Sequence, residues 1–479
     1  MATPLAAVTP APAAGAAVDD RREVFGWMMY AWACHGFVTT VASVMAGPYL
    51  TELAQRAVGE NGPVFTAPLL AGVTAKAFFP YCVSLSVLLQ LFLLPVLGAV
   101  ADRSRLKKRL LALTGASGAI ATCLLFFVGG PLDFRWGGLV FVIANLSLGA
   151  TTVLYNAFLP DIASPERRDL VSSRGYALGY LGGTVHLAAA LAFVSLGRRR
   201  GLPTDLVIRL CLLSAGVWWA GFAAVTLRRL RSRAAASPPS PLAASLALGV
   251  ADLRSTVREL RRLRHTRRFL FAYLLFNDGI QTVIAMASVF LAQELFVRRG
   301  RPEDKGFLLG LMLMIQFVGF AGSIAFGWLA ALVGAKRALV LSLAVWCGAI
   351  VYSYGLLQTQ AQAWGISAVI ALVLGGSQAL SRSLFSRMIP PGREAAFFGL
   401  YEIANSGTSW IGPFLFGAVV SVTGSYRQAL LSLILLFAAG AAILMATDTR
   451  RAIEEAGQDV PRRAPRGEGT EALAMAAGA

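Results

Sequence analysis

Few residues in this chain could do chemistry, and most of them sit where charge is costly. Asp278 lies in FLFAYLLFNDGIQTVIAMAS (269–288), preceded by Asn277 and followed three residues on by Gln281. At helical pitch it falls about 15 Å into an apolar run, near the middle of a bilayer. A carboxylate there costs about 2.5–3.5 kcal/mol on insertion scales, so it must face a cavity or a partner. Its expected use is to take up a proton or a substrate ammonium; the alternative is a fixed contact that orders the bundle. Arg382 and Glu402 occupy two later apolar runs, with Gln378 one turn before Arg382 on the same face. Opposite signs predict an ion pair or a gate, and Arg382 could instead hold a substrate carboxylate. The five cysteines (Cys34, Cys82, Cys123, Cys211, Cys347) show no metal-ligand spacing and read as small core residues. Walker, HExxH and GxSxG motifs are absent, so no cofactor, no metal and no enzymatic reaction is expected.

What must position these side chains follows from composition. Of 479 residues 56% are hydrophobic and only 14% charged, too little polar surface for a water-soluble domain. The apolar blocks reach the length that crosses a hydrocarbon core. They predict an all-α membrane protein with spans at 26–51, 77–101, 109–131, 134–159, 173–196 and 207–228, then 268–296, 304–331, 337–358, 362–389, 396–422 and 426–447. The net charge of +18 comes in short tracts between spans. It fits orientation and anionic lipid headgroups better than nucleic acid. With both termini cytoplasmic, about 31 of the 43 Lys and Arg fall on the inner side.

The rest is tails and a linker. Residues 1–24 carry no signal sequence and read as a disordered Ala/Pro tail; 448–479 reads as a second disordered tail. Between the bundles at 25–228 and 268–447, the linker 229–267 holds Leu242, Leu246, Val250, Leu253, Val257 and Leu260 at helical spacing among arginines. That is an amphipathic helix, lying on the inner membrane surface or solvated. His265 beside it is expected in solvent, and His186, deep in span 5, as a satisfied core histidine.

The chain also repeats itself. Tyr30, His35, Gly36 and Thr39 match Tyr273, Asp278, Gly279 and Thr282, each 243 positions later. Gly98, Lys107 and Lys108 match Gly327, Lys336 and Arg337 at 229. Two parallel six-helix repeats would place a solute site between them near midplane, with His35 facing Asp278 across it. Gly175, Gly179 and Gly183, four apart, give span 5 a flat face for close packing.

Three stretches are specific enough to name a family: 269–288, NAFLPDIASPERRDLVSSRGYALGYLGG (156–183) and GGSQALSRSLFSRMIPPGREAAFFGLYEIANSGTSWIGPFLFG (375–417). Together they resemble the vacuole-effluxer-like family of major facilitators, similar to fungal autophagy-related amino-acid permeases. The resemblance implies twelve transmembrane helices in two pseudo-symmetric six-helix bundles. PVLGAVADRSRLKKR (95–109) resembles the loop between spans 2 and 3 of major facilitators, in which Gly98, Asp102, Arg103 and Lys107 would form an inner latch between the halves. Bacterial relatives commonly carry an Asp after the span 1 tyrosine; here that place holds Ala31.

The expected function is secondary active transport of small polar solutes, amino acids foremost, with protons as a possible coupling partner. Lipid translocation on the same fold, or sensing without flux, is the alternative. A monomer in a bacterial cytoplasmic membrane is expected.

Overall fold

The computed structural model describes residues 18–458 except 60–61, 66–72, 76–77, 104–105, 131–132, 232–254, 301–304 and 407–410. Helix forms wherever an uninterrupted apolar run leaves the backbone no other partner at membrane depth. Among the described residues, ten helices are long and apolar enough to cross a membrane. They include span 2 (Phe78–Arg103), span 3 (Lys107–Leu124), span 4 (Phe134–Ala157), span 5 (Arg168–Arg199) and span 6 (Thr204–Arg229). Span 7 (Arg264–Leu295), span 8 (Lys305–Val333), span 9 (Ala335–Gly355) and span 10 (Gln360–Ser386) follow. Span 12 is built from Tyr426–Ser432 and Ile434–Met445.

Two passages are less regular. Span 1 runs as Arg21–Gly36, a π-helical stretch Phe37–Met45, and Ala46–Val58. It starts before 26, where Asp20 caps it by accepting from the Arg22 N–H, and runs past 51 to Val58. Span 11 is described in two pieces, Glu394–Ser406 and Ile411–Thr423. With these two passages beside the ten long helices, the described residues are consistent with the expected twelve.

The pairing of spans is the same in both halves. Span 1 packs on spans 5 and 6, and span 7 packs on spans 11 and 12. Lysines at matching positions close different joints, Lys107 that of span 3 with span 4 and Lys336 that of span 9 with span 12. Lys107 Nζ donates to Ala157 O (3.3 Å) and Asp161 Oδ2 (3.2 Å), while Lys336 Nζ donates to Met445 O (2.9 Å) and Thr447 O (2.7 Å). Both cations satisfy carbonyls at a helix C-terminus, where the helix dipole favours positive charge.

Two expectations need correction. The tail from 448 is ordered at its start: Thr449–Glu455 is helical, capped by Asp448, with Ala452, Ile453 and Ala456 buried. Burial of that small apolar face offsets its ordering entropy, which composition alone could not show. His265 is not solvated, for its Nδ1 accepts from the Asp448 N–H at 3.2 Å. Of the linker helix only 255–262 is described. Leu242, Leu246, Val250 and Leu253 lie outside the described residues.

Candidate functional site

The buried polar side chains of the second half form one chain of hydrogen bonds. Gln378 Nε2 donates to Asn277 Oδ1 (3.0 Å), and Asn277 Nδ2 donates to Asn405 Oδ1 and O (both 3.1 Å). Asn405 Nδ2 continues to Glu402 Oε1 (2.9 Å), and the Tyr273 hydroxyl donates to Asn405 Oδ1 (3.1 Å). The chain ties spans 7, 10 and 11 together. Gln378 lies eight residues from Ser386, the end of span 10, hence about 12 Å deep. Asn277, Gln378, Glu402 and Tyr273 are all buried, so each polar atom needs its partner at this depth. Asn405 was missed by the sequence reading; its one signal is its place three residues after Glu402.

Asp278 points elsewhere. Its Oδ2 accepts from the Gly412 N–H at 2.6 Å, capping the helix Ile411–Thr423, and Oδ1 has no partner among the described residues. It is 1% exposed. A Cβ on Gly412 would meet Thr282 Oγ1 at 2.0 Å and Asp278 Oδ2 at 3.1 Å. The first half repeats the arrangement: a Cβ on Gly183 would meet Thr39 Oγ1 at 2.4 Å and His35 O at 3.2 Å. Gly183 and Gly412 stand 229 apart, and Thr39 and Thr282 stand 243 apart, the offsets read from the sequence. The repeat therefore has the same physical content in both halves. A glycine lets a threonine and the polar residue one turn before it approach a neighbouring helix.

His35 and Asp278 consequently lie against their own halves. His35 sits over Gly179, whose Cβ would meet Nε2 at 2.8 Å, with the Tyr180 ring 6.0 Å away. No contact joins the two residues among the described atoms. Gln281 is half-buried.

Arg382 binds the opposite half. Nε donates to Ser172 Oγ (2.9 Å), Nη2 to Ser172 O (2.8 Å) and Nη1 to Asn156 Oδ1 (3.2 Å). Its guanidinium lies 4.2 Å from the Tyr176 ring, 5.0 Å from Trp27 and 5.5 Å from Tyr155. Burial inside three aromatic rings satisfies the cation through neutral groups. Among the described contacts of Arg382 the expected pairing with Glu402 does not occur. One turn from the end of span 10, Arg382 also lies too near the end of the bundle for a midplane carboxylate site.

Around it the two halves meet closely. Asp102 Oδ1 and Oδ2 accept from the Ala395 and Ala396 N–H groups (2.9 and 2.7 Å), capping span 11 from the other half. A Cβ on Gly98 would lie 2.2 Å from Ala395 O, so only glycine admits this approach. Lys107 supports the same loop; the Arg103 side chain lies outside what is described. Asp169 pairs with Arg387 at 2.7 Å and accepts from Ser383 Oγ. Ser172 Oγ donates to Ala379 O (2.8 Å). A further hydrogen bond between halves among the described residues is Gln316 Nε2 to Thr39 Oγ1, at 3.0 Å. The first and last described residues lie here too: the Asp19 N–H donates to Ile162 O, and Gln458 meets Ser386. The halves are thus closed on each other at the end that carries Asp19 and Gln458.

Away from this interface, a groove of about 680 Å³ opens between spans 5 and 6. His186 and Ser214 form its floor, and His186 is satisfied as expected, by Thr40 Oγ1 (2.8 Å) and Ser214 Oγ (3.3 Å). Among the described residues no His, Cys, Asp and Glu group could hold a metal ion.

Comparison with known proteins agrees with this layout. The profile of the family described as "Vacuole effluxer Atg22 like" matches residues 19–457. An uncharacterized MFS-type transporter, YxiO of Bacillus subtilis (strain 168), is 26% identical over 91% of this chain and 97% of its own. Autophagy-related protein 22-1 of Penicillium rubens is 25% identical over 91% of each chain. Among solved structures, the major facilitator transporter FucP in the outward conformation aligns with TM-score 0.63 at 12% identity, over 89% of this chain and 98% of FucP. A bacterial homologue of the iron transporter ferroportin, outward-facing, aligns with TM-score 0.57 at 15% identity, over 91% and 99%.

Proposed function

The chain belongs to the Atg22-like vacuole effluxer family of major facilitator transporters, and from that premise we propose that it moves small polar solutes, amino acids foremost, by alternating access. The observation that carries this is the hydrogen-bonded chain Gln378–Asn277–Asn405–Glu402, set deep in the second half beyond a closed end. Amide and carboxylate groups at this depth offer both signs of hydrogen bond to a zwitterion, with Glu402 as the natural partner of an ammonium. The Lys and Arg bias supports a cytoplasmic location for the closed end, so the state described faces outward from a bacterial cytoplasmic membrane. Arg382 then acts as a bolt that must leave its aromatic cage before the inner end opens. Asp278 is the candidate proton site. The polar set lies between spans of one half and not in the groove of spans 5 and 6, which favours solutes over lipids.

Counterflow of labelled amino acids into proteoliposomes tests this. Wild-type protein should exchange one or more of them. Asn277→Ala should raise KM about tenfold or more, since an unpaired buried amide costs about 1–3 kcal/mol. No exchange of any amino acid, with headgroup asymmetry of the vesicles altered instead, would replace this reading by lipid translocation.

A further inference from the structure

We propose that Gln458, beyond the last span, is a positioning residue of the transport cycle that straps the two halves together at the closed end. The proposal rests on the alternating-access reading above. After span 12, Asp448 turns the chain into the helix Thr449–Glu455. The carboxyl of Asp448 is held below its ordinary 3.8 chiefly by the Arg451 N–H it accepts from. His265 anchors this helix to the start of span 7: its Nδ1 accepts from the Asp448 N–H, and its own N–H donates to Glu455 Oε2 (3.3 Å). The tail is therefore fixed to the second half.

Gly457, at φ +70, then directs Gln458 into the seam. Gln458 Nε2 donates to Ser386 O (3.3 Å) and to Ile389 O, two carbonyls at the end of span 10. Such carbonyls have no partner within their own helix. Gln458 Oε1 accepts from Arg168 Nη1 at 2.8 Å, and Arg168 opens span 5 in the first half. Arg168 Nη1 also donates to Ser386 O (3.2 Å), while Nε is held by Ala163 O (3.2 Å). Arg168 is 6% exposed and no carboxylate pairs with it among the described residues, so Gln458 adds a side-chain acceptor to the two backbone carbonyls that hold this cation. The bond from Arg168 to Gln458 crosses between halves and cannot survive their separation. One amide thus reads whether the inner end is shut.

Spin labels on Glu166→Cys and Pro391→Cys, both exposed and on opposite halves of this end, would report the separation in full-length protein. The five native cysteines are replaced by alanine in this background. Wild-type protein should show a short and a long distance whose ratio responds to added amino acid. Gln458→Ala should raise the long-to-short ratio about tenfold, the worth of one hydrogen bond to a buried charge, while the two distances themselves stay the same. Arg168→Lys should raise it similarly, and the double variant by less than the product of the two. Unchanged ratios in Gln458→Ala, with both distances present in wild type, would overturn the strap and leave alternation standing. A single distance under all conditions would overturn both.

Discussion

Asparagine at position 278 separates two roles that aspartate combines. Its side-chain oxygen can still accept from the Gly412 N–H, since Asn caps helices about as well as Asp, but it cannot take up a proton. Asp278→Asn should therefore keep the wild-type melting temperature and lose at least tenfold in transport, with the pH dependence of uptake flattened. Asp278→Ala should lose the cap as well, at about 1 kcal/mol of stability. A wild-type rate and pH profile for Asp278→Asn would leave Asp278 as a cap alone. Arg382→Lys is not conservative either. An ammonium cannot reproduce the fork that reaches Ser172 twice and Asn156 once, so the closed end should loosen and thiol reagents should reach Ser383→Cys about tenfold faster. Asp278 and Arg382 were both legible in the sequence as charges in apolar runs. Their partners were not, because Gly412 contributes only a backbone N–H, 134 positions away, and Ser172 a hydroxyl and a carbonyl. Glu402 was the expected partner of Arg382 because it was an acid at similar depth; three aromatic rings and an amide satisfied the cation instead.

Elements were legible wherever hydropathy alone sets their limits. Spans 2 to 10 start and stop near the expected places, because a helix at membrane depth has no alternative; span 3 is the exception, its helix ending at Leu124 instead of 131. The tail helix escaped notice since only three small side chains on one face are buried. Span 11 carries the contact most exposed to test. Its first turn is capped by Asp102, and Ala395 O stands where a Gly98 side chain would grow. A backbone atom cannot swing aside, so Gly98→Val should destabilise closure by about 1–3 kcal/mol. Labelling of Ser383→Cys should rise accordingly, by roughly tenfold or more.

At the scale of the whole molecule, the repeat was visible as a handful of matched letters at 243 and 229, and the two glycine–threonine contacts give those letters a reason. What the letters could not convey is how the halves sit together, since that depends on pairings such as Ser173 with Gly327. A Cβ on Gly327 would lie 2.8 Å from Ser173 Cβ. The pair Ser173→Cys and Gly327→Cys, in a background free of other cysteines, is near enough to bridge with a small shift. Oxidation should abolish counterflow and reductant should restore it; full activity while bridged would mean that this end never needs to part.

One consequence follows from the π-helical stretch Phe37–Met45. Wider turns there let consecutive residues serve different masters: Thr40 meets His186 within its own half, while Thr39 meets Gln316 of the other. Excising a single residue from 37–45 would return the passage to ordinary α-helical winding and leave the helix beyond it close to its present orientation, since a π-bulge holds one residue more than an α-helix needs for the same turn. Tyr49, whose hydroxyl reaches Val128 O at 2.6 Å, would then keep its acceptor, while Thr39 and Thr40 could no longer both reach theirs.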